Sequence, residues 1–307
     1  GIRDKLVTEF RRVLFRSEET GFVPNQNAGA LASNRSRLVA VLVPMLTNPI
    51  FSDTFQAIAE QLAANGYQVL LGISGYEAKQ EQELLDVILS RRPDGIILTG
   101  TVHTEPSRKR LRATGVPVVE TWDISESPID MLVGFSHEEV GRSVANHLVG
   151  QGYRHFALLS VDDPRGKVRA RVFLETLQEQ GITDVVHQSF SELPALEQGR
   201  EGLTRILEAD STPRVVVCTS DTIAHGVLTE AASRHLKVPE QVSVFGFGDM
   251  NFAAHTYPPL STVRIDGKHI GQLAATALLR RLKNGVYDTV NDDVGFTLID
   301  RLSTRTQ

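Results

Sequence analysis

From residue 38 onward, short apolar runs alternate with segments whose apolar residues recur every three or four positions. The apolar runs predict nine strands, at Leu38–Val43, Gln68–Ile73, Gly95–Leu98, Val116–Glu120, Met131–Phe135, Phe156–Ser160, Val215–Thr219, Val242–Gly246 and Phe296–Ile299. Most of the intervening segments have the periodicity of amphipathic helices, and Ser136-His-Glu-Glu139 has the spacing of a capping box. This alternation predicts an α/β fold in which helices cover both faces of parallel sheets.

Nine strands are too many for one comfortable open sheet, so the pattern predicts two doubly wound parallel-sheet subdomains with a cleft between them. In such folds, ligands bind beside the carboxyl ends of the strands. The loops richest in Pro, Ser and Thr are Thr101–Ser107 and Asp123–Pro128, and both follow predicted strands. We therefore expect both loops to form rims of the cleft.

Polar and aromatic residues that directly follow strands are the candidates for ligand contacts. For Phe51 and Trp122, position alone leaves two interpretations open, which are stacking on a ligand and packing in the core. His103 is more typical of a plain polar loop, and Asp221 is also interpreted as a helix N-cap. The candidates outside the basic cluster described next are Asn48, Phe51, Thr99, Trp122, Ser220, Asp249 and Arg264.

Four basic residues, Arg165, Lys167, Arg169 and Arg171, lie at the start of a predicted helix. The first turn of a helix normally favours acidic residues, so the cluster indicates an anion, a group rich in hydroxyls or acidic neighbours opposite it. Arginine can bind a carboxylate or phosphate through two parallel hydrogen bonds. Not all four side chains can face inward, and Lys167 and Arg171 are interpreted as solvated.

The composition excludes several classes of protein. No apolar run approaches the ~18 residues that span a bilayer, and the N-terminus has no signal-peptide pattern, so the sequence predicts a cytoplasmic protein without a membrane partner. The single cysteine, Cys218, permits no intrachain disulfide. We find no enzyme motif, metal-binding spacing or cofactor signature. The acid pairs Asp162-Asp163 and Asp292-Asp293 are interpreted as solvated residues beside loops.

Charge is distributed unevenly along the chain. The net charge is −5, but residues 1–37 hold seven basic and four acidic residues. A basic end on an acidic body suits a polyanionic partner, although short basic stretches are more often simply solvated. Residues 21–37 form a polar, Ala-rich segment with one protruding leucine, Leu31, directly before the first strand.

Several strings, in this order, resemble the LacI/GalR family of transcription factors over residues 21–307. They are Gly21-Phe-Val-Pro-Asn25 with Ala28, Leu31 and Ser36, then Val41-Leu-Val-Pro44, Asn48-Pro-Ile-Phe51, Gly95-Ile-Ile-Leu98, the spacing Arg169…Phe173…Leu177…Gly181, Ser220-Asp221, Val242-Ser-Val-Phe-Gly-Phe247 and Pro259-Leu-Ser-Thr-Val263. Within the family, Ile97-Leu-Thr99, Thr101-Val-His-Thr104, Val118-Val-Glu120 and Gly295-Phe-Thr-Leu298 are similar to the gluconate-operon-repressor branch.

The resemblance implies a type I periplasmic-binding-protein fold, a homodimer, operator DNA as a partner and a small-molecule effector in the cleft. By position, the implied effector contacts are Asn48, Phe51, Thr99, Trp122, Arg169, Ser220, Asp249 and Arg264. The implied N-terminal subdomain is 38–136 plus 267–290, and the implied C-terminal subdomain is 137–264 plus 294–307.

One departure from the family pattern bears on the ligand. Most sugar-sensing members place an aspartate where Gly248 stands, and only the following Asp249 remains. Loss of one carboxylate while Arg169 and Arg264 are retained favours an acidic ligand, since an unpaired acid beside a carboxylate is unfavourable. The sequence thus predicts a sugar acid such as gluconate as the effector.

The same resemblance implies that residues 21–37 are a hinge that contacts operator DNA, with Asn25, Ala28 and Leu31 as the matching residues. In the family, a leucine at the position of Leu31 wedges into the minor groove. Residues 1–20 are too few for a helix-turn-helix headpiece. They are expected to be either a remnant or foreign sequence, since Leu14-Phe-Arg-Ser17 matches the translation of a common sequencing adapter.

The leading hypothesis is the effector-binding and dimerisation region of a sugar-acid-responsive repressor, without enzymatic activity. Two alternatives remain open. A solute-binding protein of a transporter has the same fold but needs a signal peptide and no hinge. A sugar-acid enzyme needs a catalytic pair, which the sequence does not offer.

Overall fold

The computed structural model describes residues 35–45, 49–191, 193–209, 215–285 and 290–304. The predicted hinge residues Asn25, Ala28 and Leu31, the segment 1–20 and the effector candidate Asn48 lie outside the described residues. No helix in these ranges is long and apolar enough to cross a membrane.

The described residues form twelve strands and eight α-helices. The strands are β1 Leu38–Val43, β2 Gln68–Ile73, β3 Gly95–Thr99, β4 Val118–Thr121, β5 Met131–Gly134, β6 Phe156–Val161, β7 Val185–Phe190, β8 Val215–Cys218, β9 Ser243–Phe245, β10 Thr262–Arg264, β11 Asn291–Asp293 and β12 Thr297–Ile299. The helices are α1 Ser52–Ala64, α2 Ala78–Ser90, α3 Glu105–Thr114, α4 His137–Gly150, α5 Pro164–Glu179, α6 Leu196–Ala209, α7 Asp221–Ser233 and α8 Gly267–Asn284.

The first sheet is fully parallel, with the strand order β11-β5-β4-β3-β1-β2. Its central strand, β1, shows why it is buried on both faces. Val39 and Val41 belong to a core with Ile58 of α1 and Leu278 of α8. The alternate residues Ala40 and Leu42 pack in a second core with residues of α2 and α3. Because successive side chains point to opposite faces of a strand, an unbroken apolar run fills both cores.

The second sheet has the parallel order β7-β6-β8-β9. Its strand β6 alternates in the same way, since Leu158 faces a core with Phe173 and Leu177 of α5, whereas Leu159 faces Leu203 of α6 and Val227 of α7. Beside this sheet, β10 and β12 form an antiparallel pair. A bridge between Gly248 and Arg264 joins β10 to the segment after β9.

The chain passes between the sheets three times. The first crossing, at 135–137, leads from β5 to α4, and the second, at 265–267, leads from β10 back to α8 on the first sheet. The third, at 294–296, leads from β11, paired with β5, to β12, paired with β10. These crossings place the carboxyl ends of β1, β3 and β4 opposite those of β6 and β8.

The apolar pattern predicted nine of the twelve strands and did not predict β7, β10 or β11. The edge strand β7 is half-exposed, and β11 is exposed at all three residues, so neither has an apolar run. Asp292-Asp293 therefore lies in a strand rather than beside a loop. Strand β4 begins at Val118 rather than Val116, directly after Pro117. One half of the predicted capping box is confirmed, because Glu139 N donates to Ser136 Oγ at 3.1 Å, whereas the Glu139 carboxylate accepts from Arg142.

Candidate functional site

Two neighbouring cavities open where strands of both sheets end. The first, of about 440 Å³, is called the arginine cavity and is lined by Ile50, Phe51, Tyr76, Trp122, His137, Val161, Asp163, Arg165, Arg169, Pro194, Thr219, Ser220, Phe247 and Met250. The second, of about 490 Å³, is called the acidic cavity and is lined by Pro44, Ser74, Gly75, Tyr76, Glu77, Ala78, Glu81, Thr99, Gly100, Thr101, Val102, Asp123, Pro164 and Arg165. Tyr76 and Arg165 line both cavities.

Arg169 is a buried cation whose hydrogen-bonding partners are neutral. The residue is only 8% exposed. Its Nη1 donates to His137 Nδ1 at 2.9 Å and its Nη2 to the carbonyl of Thr219 at 3.1 Å, while its Nε is buried without a hydrogen-bond partner. The guanidinium carbon lies 3.9 Å from the centre of the Phe247 ring. Burial lowers the pKa of Arg169 to about 10, so the group stays charged at neutral pH.

The charge on Arg169 fixes the state of His137, which is 4% exposed. Burial first, and then the positive charge of Arg169, holds the pKa of His137 well below its usual range. The neutral ring accepts from Arg169 through Nδ1, so Nε2 carries the proton and donates to the carbonyl of Trp122 at 2.9 Å. His137 thus links a cavity arginine to the loop that follows β4.

Phe51 and Trp122 are core residues and cavity walls at once. They are 7% and 2% exposed, and their ring centres lie 5.1 Å apart, edge to face. The indole Nε1 of Trp122 donates to Thr54 Oγ1 at 3.1 Å, which in turn donates to the carbonyl of Gly267 at 2.8 Å. A Cβ on Gly267 would lie 2.9 Å from that hydroxyl oxygen, so this close approach requires glycine.

The basic cluster on α5 divides between the cavities and solvent. Arg165 and Arg169, four residues apart on one helix face, both line the arginine cavity. As expected, Lys167 is solvated, where it pairs with Asp162, and Arg171 is solvated, where it pairs with acidic residues of α4 and α5.

Asp163 corrects the interpretation of its acid pair as solvated. It is 8% exposed, caps α5 and lines the arginine cavity. Its Oδ1 accepts from the backbone N–H groups of Arg165 at 3.0 Å and Gly166 at 2.9 Å. These bonds satisfy free donors in the first turn of the helix, and this requirement outweighs solvation of the carboxylate.

The acidic cavity contains the loops predicted as cleft rims. Thr101 Oγ1 donates to Asp123 Oδ2 at 3.1 Å, and burial raises the pKa of Asp123. Thr99, a predicted contact, lines this cavity and donates its hydroxyl to the carbonyl of Leu42 at 2.9 Å.

His103 is not part of a plain polar loop. Its side chain is 1% exposed, and its Nδ1 lies 2.6 Å from Glu81 Oε1. Its Nε2 lies 3.2 Å from the buried Glu120 Oε1, an ion-pair distance at which the N–H is poorly aligned for a hydrogen bond. Burial lowers the pKa of His103, but Glu120 and Glu81 outweigh this effect and raise it to about 9. The loop beside the acidic cavity is therefore anchored by a buried cation between two carboxylates.

Two predicted contacts, Asp249 and Arg264, are not among the residues that line either cavity. Asp249 Oδ2 lies 2.6 Å from Arg264 Nε, and Asp249 Oδ1 lies 2.6 Å from Arg301 Nη2. Both carboxylate oxygens therefore already pair with an arginine of the protein. Of the seven predicted contacts that the structure describes, it brings Phe51, Trp122, Arg169 and Ser220 together in the arginine cavity and Thr99 in the acidic one.

Ser220, not Asp221, caps α7, since Thr222 N donates to Ser220 Oγ at 3.2 Å. Asp221 is fully buried, where it accepts from Met250 N at 2.8 Å and from Thr262 Oγ1 at 2.6 Å. Burial raises the pKa of Asp221 to about 6. Asp221 therefore supports the arginine cavity indirectly, because it holds the backbone of Met250, which lines this cavity.

Sequence reasoning did not identify Tyr76 or His137 as cavity residues. Tyr76 lies shortly after the end of β2, just as the predicted contacts lie shortly after the ends of their strands, but it was not among them. His137 lies inside the predicted capping box, and no local pattern separates a first-turn histidine that faces solvent from one that faces an arginine 32 residues away.

Comparisons with known proteins agree with this geometry. A family model described as a periplasmic binding protein-like domain matches residues 145–304. The HTH-type transcriptional regulator GntR of Pseudomonas aeruginosa is 35% identical over 296 residues, which cover 96% of this chain and 86% of that protein.

Two solved structures are similar over both sheets. A transcription regulator GntR from Chromobacterium violaceum has a TM-score of 0.83 and 33% identity, covering 87% of this chain and 99% of that one. A LacI family regulator from Silicibacter pomeroyi has a TM-score of 0.91 and 31% identity, covering 96% and 90%. The predicted periplasmic-binding-protein-like fold is confirmed.

Proposed function

Because the chain belongs to the LacI family of transcriptional regulators, we propose that its cavities form the effector site of a repressor that responds to a sugar acid such as gluconate. Ligand in this site modulates operator binding by the full-length regulator, which acts as a homodimer. Relatives named GntR agree with the resemblance to gluconate-operon repressors.

The observation that carries this proposal is the environment of Arg169. A buried charge is costly unless it is paired and hydrogen-bonded, yet the partners of this guanidinium are an imidazole and a carbonyl, and its Nε has no partner. Asp163 of the same cavity acts on Arg169 through its charge but does not accept a hydrogen bond from it. A ligand carboxylate supplies a negative charge in direct contact with the guanidinium and an acceptor for it. Ser220 and Arg165 line the same cavity and add polar contacts for a hydroxylated acid.

Arg169 and Arg264 differ as partners for an acidic ligand. Arg264 lines neither cavity, and it already pairs at 2.6 Å with Asp249, a carboxylate that it shares with Arg301. The retained positive charge that favours an acid is that of Arg169, with Arg165 beside it. The missing carboxylate at Gly248 is still relevant, because Gly248 directly follows Phe247 in the cavity wall.

The position of the site between the sheets supports a simple mechanism. Phe51 and Trp122 come from the first sheet, whereas Arg169 and Ser220 come from the second. A ligand that contacts both sets favours the arrangement of the sheets that brings them together, and it shifts the population toward that state. The predicted hinge, residues 21–37, directly precedes β1, so we propose that this shift alters the spacing of the two hinges in a dimer and thereby operator affinity.

Titration calorimetry with gluconate, other aldonic acids and their neutral parent sugars tests the effector class. We expect binding of an aldonic acid and none of the neutral sugars. Tight binding of a neutral sugar, with no binding of any sugar acid, would overturn the proposal. Incubation with the bound acid, followed by product analysis, tests the enzymatic alternative. The solute-binding alternative is disfavoured because the similar proteins are named as regulators.

A further inference from the structure

We infer that the arginine cavity and the acidic cavity are the two ends of one elongated site, which accepts a polyhydroxylated acid with a single anionic end and rejects a second anion at the other end. This inference rests on the proposed function and extends it to the orientation of the ligand. The carboxylate lies at Arg169, and the hydroxylated tail extends into the acidic cavity.

The two cavities share a wall rather than lying in separate parts of the molecule. Tyr76 and Arg165 line both of them. The guanidinium carbon of Arg165 lies 5.4 Å from the centre of the Phe51 ring, on the arginine side, and 5.9 Å from that of Tyr76. Its Nη1 also lies 3.4 Å from the point where a Cβ on Gly100 would stand, on the acidic side. Arg165 therefore occupies the boundary between the cavities.

The two sides of this boundary differ in net charge, and the acidic side is the more negative. Beyond the shared Arg165, the arginine cavity holds Arg169 and one carboxylate, Asp163, which accepts two backbone N–H groups at the start of α5. The acidic cavity holds three carboxylates, those of Glu77, Glu81 and Asp123. The Glu81 carboxylate is offset by His103, but those of Glu77 and Asp123 have no cation within ion-pair distance among the described residues. Arg165 and Arg169 still act on Asp123, since their charges partly offset the rise in its pKa that burial causes. An anionic end is therefore favoured at the side of Arg169, where fewer carboxylates oppose it.

The polar groups of the acidic cavity suit hydroxyls rather than anions. Asp123 accepts from Thr101 Oγ1 and from Ile124 N, and each of its oxygens retains a lone pair for a further donor. The hydroxyls of Thr99 and Ser74 donate to backbone carbonyls, which leaves their oxygens as acceptors. Ligand hydroxyls can both donate and accept here, whereas a second carboxylate can only accept and is repelled by Asp123.

Gluconate and glucarate form a matched pair of probes for this inference. They differ in one terminal group, a primary alcohol in gluconate and a carboxylate in glucarate, so glucarate places a carboxylate in the acidic cavity in either orientation. By titration calorimetry on the full chain, we expect glucarate to bind at least tenfold more weakly than gluconate. Asp123→Asn should reduce this ratio at least threefold, because it removes the repulsive charge and keeps the side-chain shape.

Two further variants keep the test independent of folding and of net charge. Glu77→Gln changes an exposed residue of the same cavity and should reduce the ratio in the same direction. Asp184→Asn removes one negative charge from an exposed position outside both cavities and should leave the ratio unchanged. Thermal unfolding of each variant identifies any that fails to fold.

The outcomes separate this inference from the proposed function. If the wild-type protein binds gluconate but prefers it to glucarate by less than tenfold, the inference is wrong and the proposed function stands. The same conclusion follows if neither Asp123→Asn nor Glu77→Gln narrows the ratio threefold. If no sugar acid binds, the proposed function fails and this inference fails with it.

Discussion

Arg169 and Arg264 lie in opposite electrostatic surroundings, although both belong to elements around the second sheet. Arg169 is 8% exposed and donates only to neutral groups. The side chain of Arg264 is 53% exposed and pairs with Asp249. The comparison shows that an arginine suited to an anionic ligand is recognised by hydrogen-bond partners that are all neutral, even where a carboxylate such as Asp163 acts on it without direct contact. His103, by contrast, is a compensated cation, because it lies between the carboxylates of Glu81 and Glu120.

The largest expected effect follows from neutralising the two arginines separately. Arg169→Gln should weaken gluconate binding at least 100-fold, about 2.7 kcal/mol, because the ligand carboxylate loses its buried partner. Arg264→Gln should change affinity less than threefold. Calorimetry under identical conditions measures both, and equal losses for the two variants would break the comparison.

The compensated cation His103 should instead control stability. Its pKa of about 9 lies above the unfolded value of 6.5, so its contribution to stability is complete below pH 6.5 and is lost as the pH rises through 9. Between pH 7.5 and 9.5, the free energy of unfolding should fall by about 2 kcal/mol from this group.

Urea unfolding at pH 7.5, 8.5 and 9.5 measures this fall. In His103→Gln the contribution of this group disappears, so the variant should lose less stability over the same range. An equal loss in both proteins would show that His103 is not held as a cation.

A substitution at His137 tests whether the neutral hydrogen-bond partners of Arg169 contribute to ligand affinity. In His137→Phe, the ring remains beside Phe135 and Phe247, but Arg169 loses an acceptor and the carbonyl of Trp122 loses its donor. We expect gluconate affinity to fall about tenfold, equivalent to about 1.4 kcal/mol, and the melting temperature to fall as well. His147→Gln, on the opposite end of α4, is the control. An unchanged affinity in His137→Phe would show that Arg169 needs no positioning.

The smallest effect is expected at the pair that was predicted to bind the effector. Asp249→Asn should change gluconate affinity less than threefold, because neither Asp249 nor Arg264 lines a cavity. It should cost about 2 kcal/mol of stability, because Arg264 is half-exposed and readily solvated, whereas the second partner, Arg301, is only 15% exposed and loses its carboxylate. Thermal denaturation measures the change in stability, and calorimetry measures the change in gluconate affinity. A large loss of affinity would show that Asp249 and Arg264 belong to the ligand site.

Much of the fold follows from local pattern. Both-face burial makes strands such as β8, Val-Val-Val-Cys, continuous apolar runs, and such runs are visible in the sequence. The same reasoning does not predict the edge strands β7 and β11, because exposure to solvent on one or both faces removes the need for an apolar run. It can likewise be predicted from the sequence that Arg165 and Arg169 lie on the same face of their helix, since four residues are close to one helical turn.

The site itself was only partly predictable because its decisive contacts are long-range. The Asp249–Arg264 pair depends on the bridge between Gly248 and Arg264, which no spacing reveals. The burial of His103, a loop residue, depends on Glu81, which lies 22 residues away on α2. Local sequence determines which helix, strand or loop carries a charged side chain, whereas tertiary packing determines whether an oppositely charged group lies beside it.

The hydroxyl of Thr54 has a mechanical consequence. It accepts a hydrogen bond from the indole of Trp122, and it donates one to the carbonyl of Gly267 at the second crossing. The backbone carbonyl of Trp122 in turn accepts from His137 at the first crossing. While these bonds persist, a shift at one of these two crossings is transmitted to the other through the Thr54 hydroxyl. We therefore expect the first and second crossings to move together when the sheets change their relative arrangement.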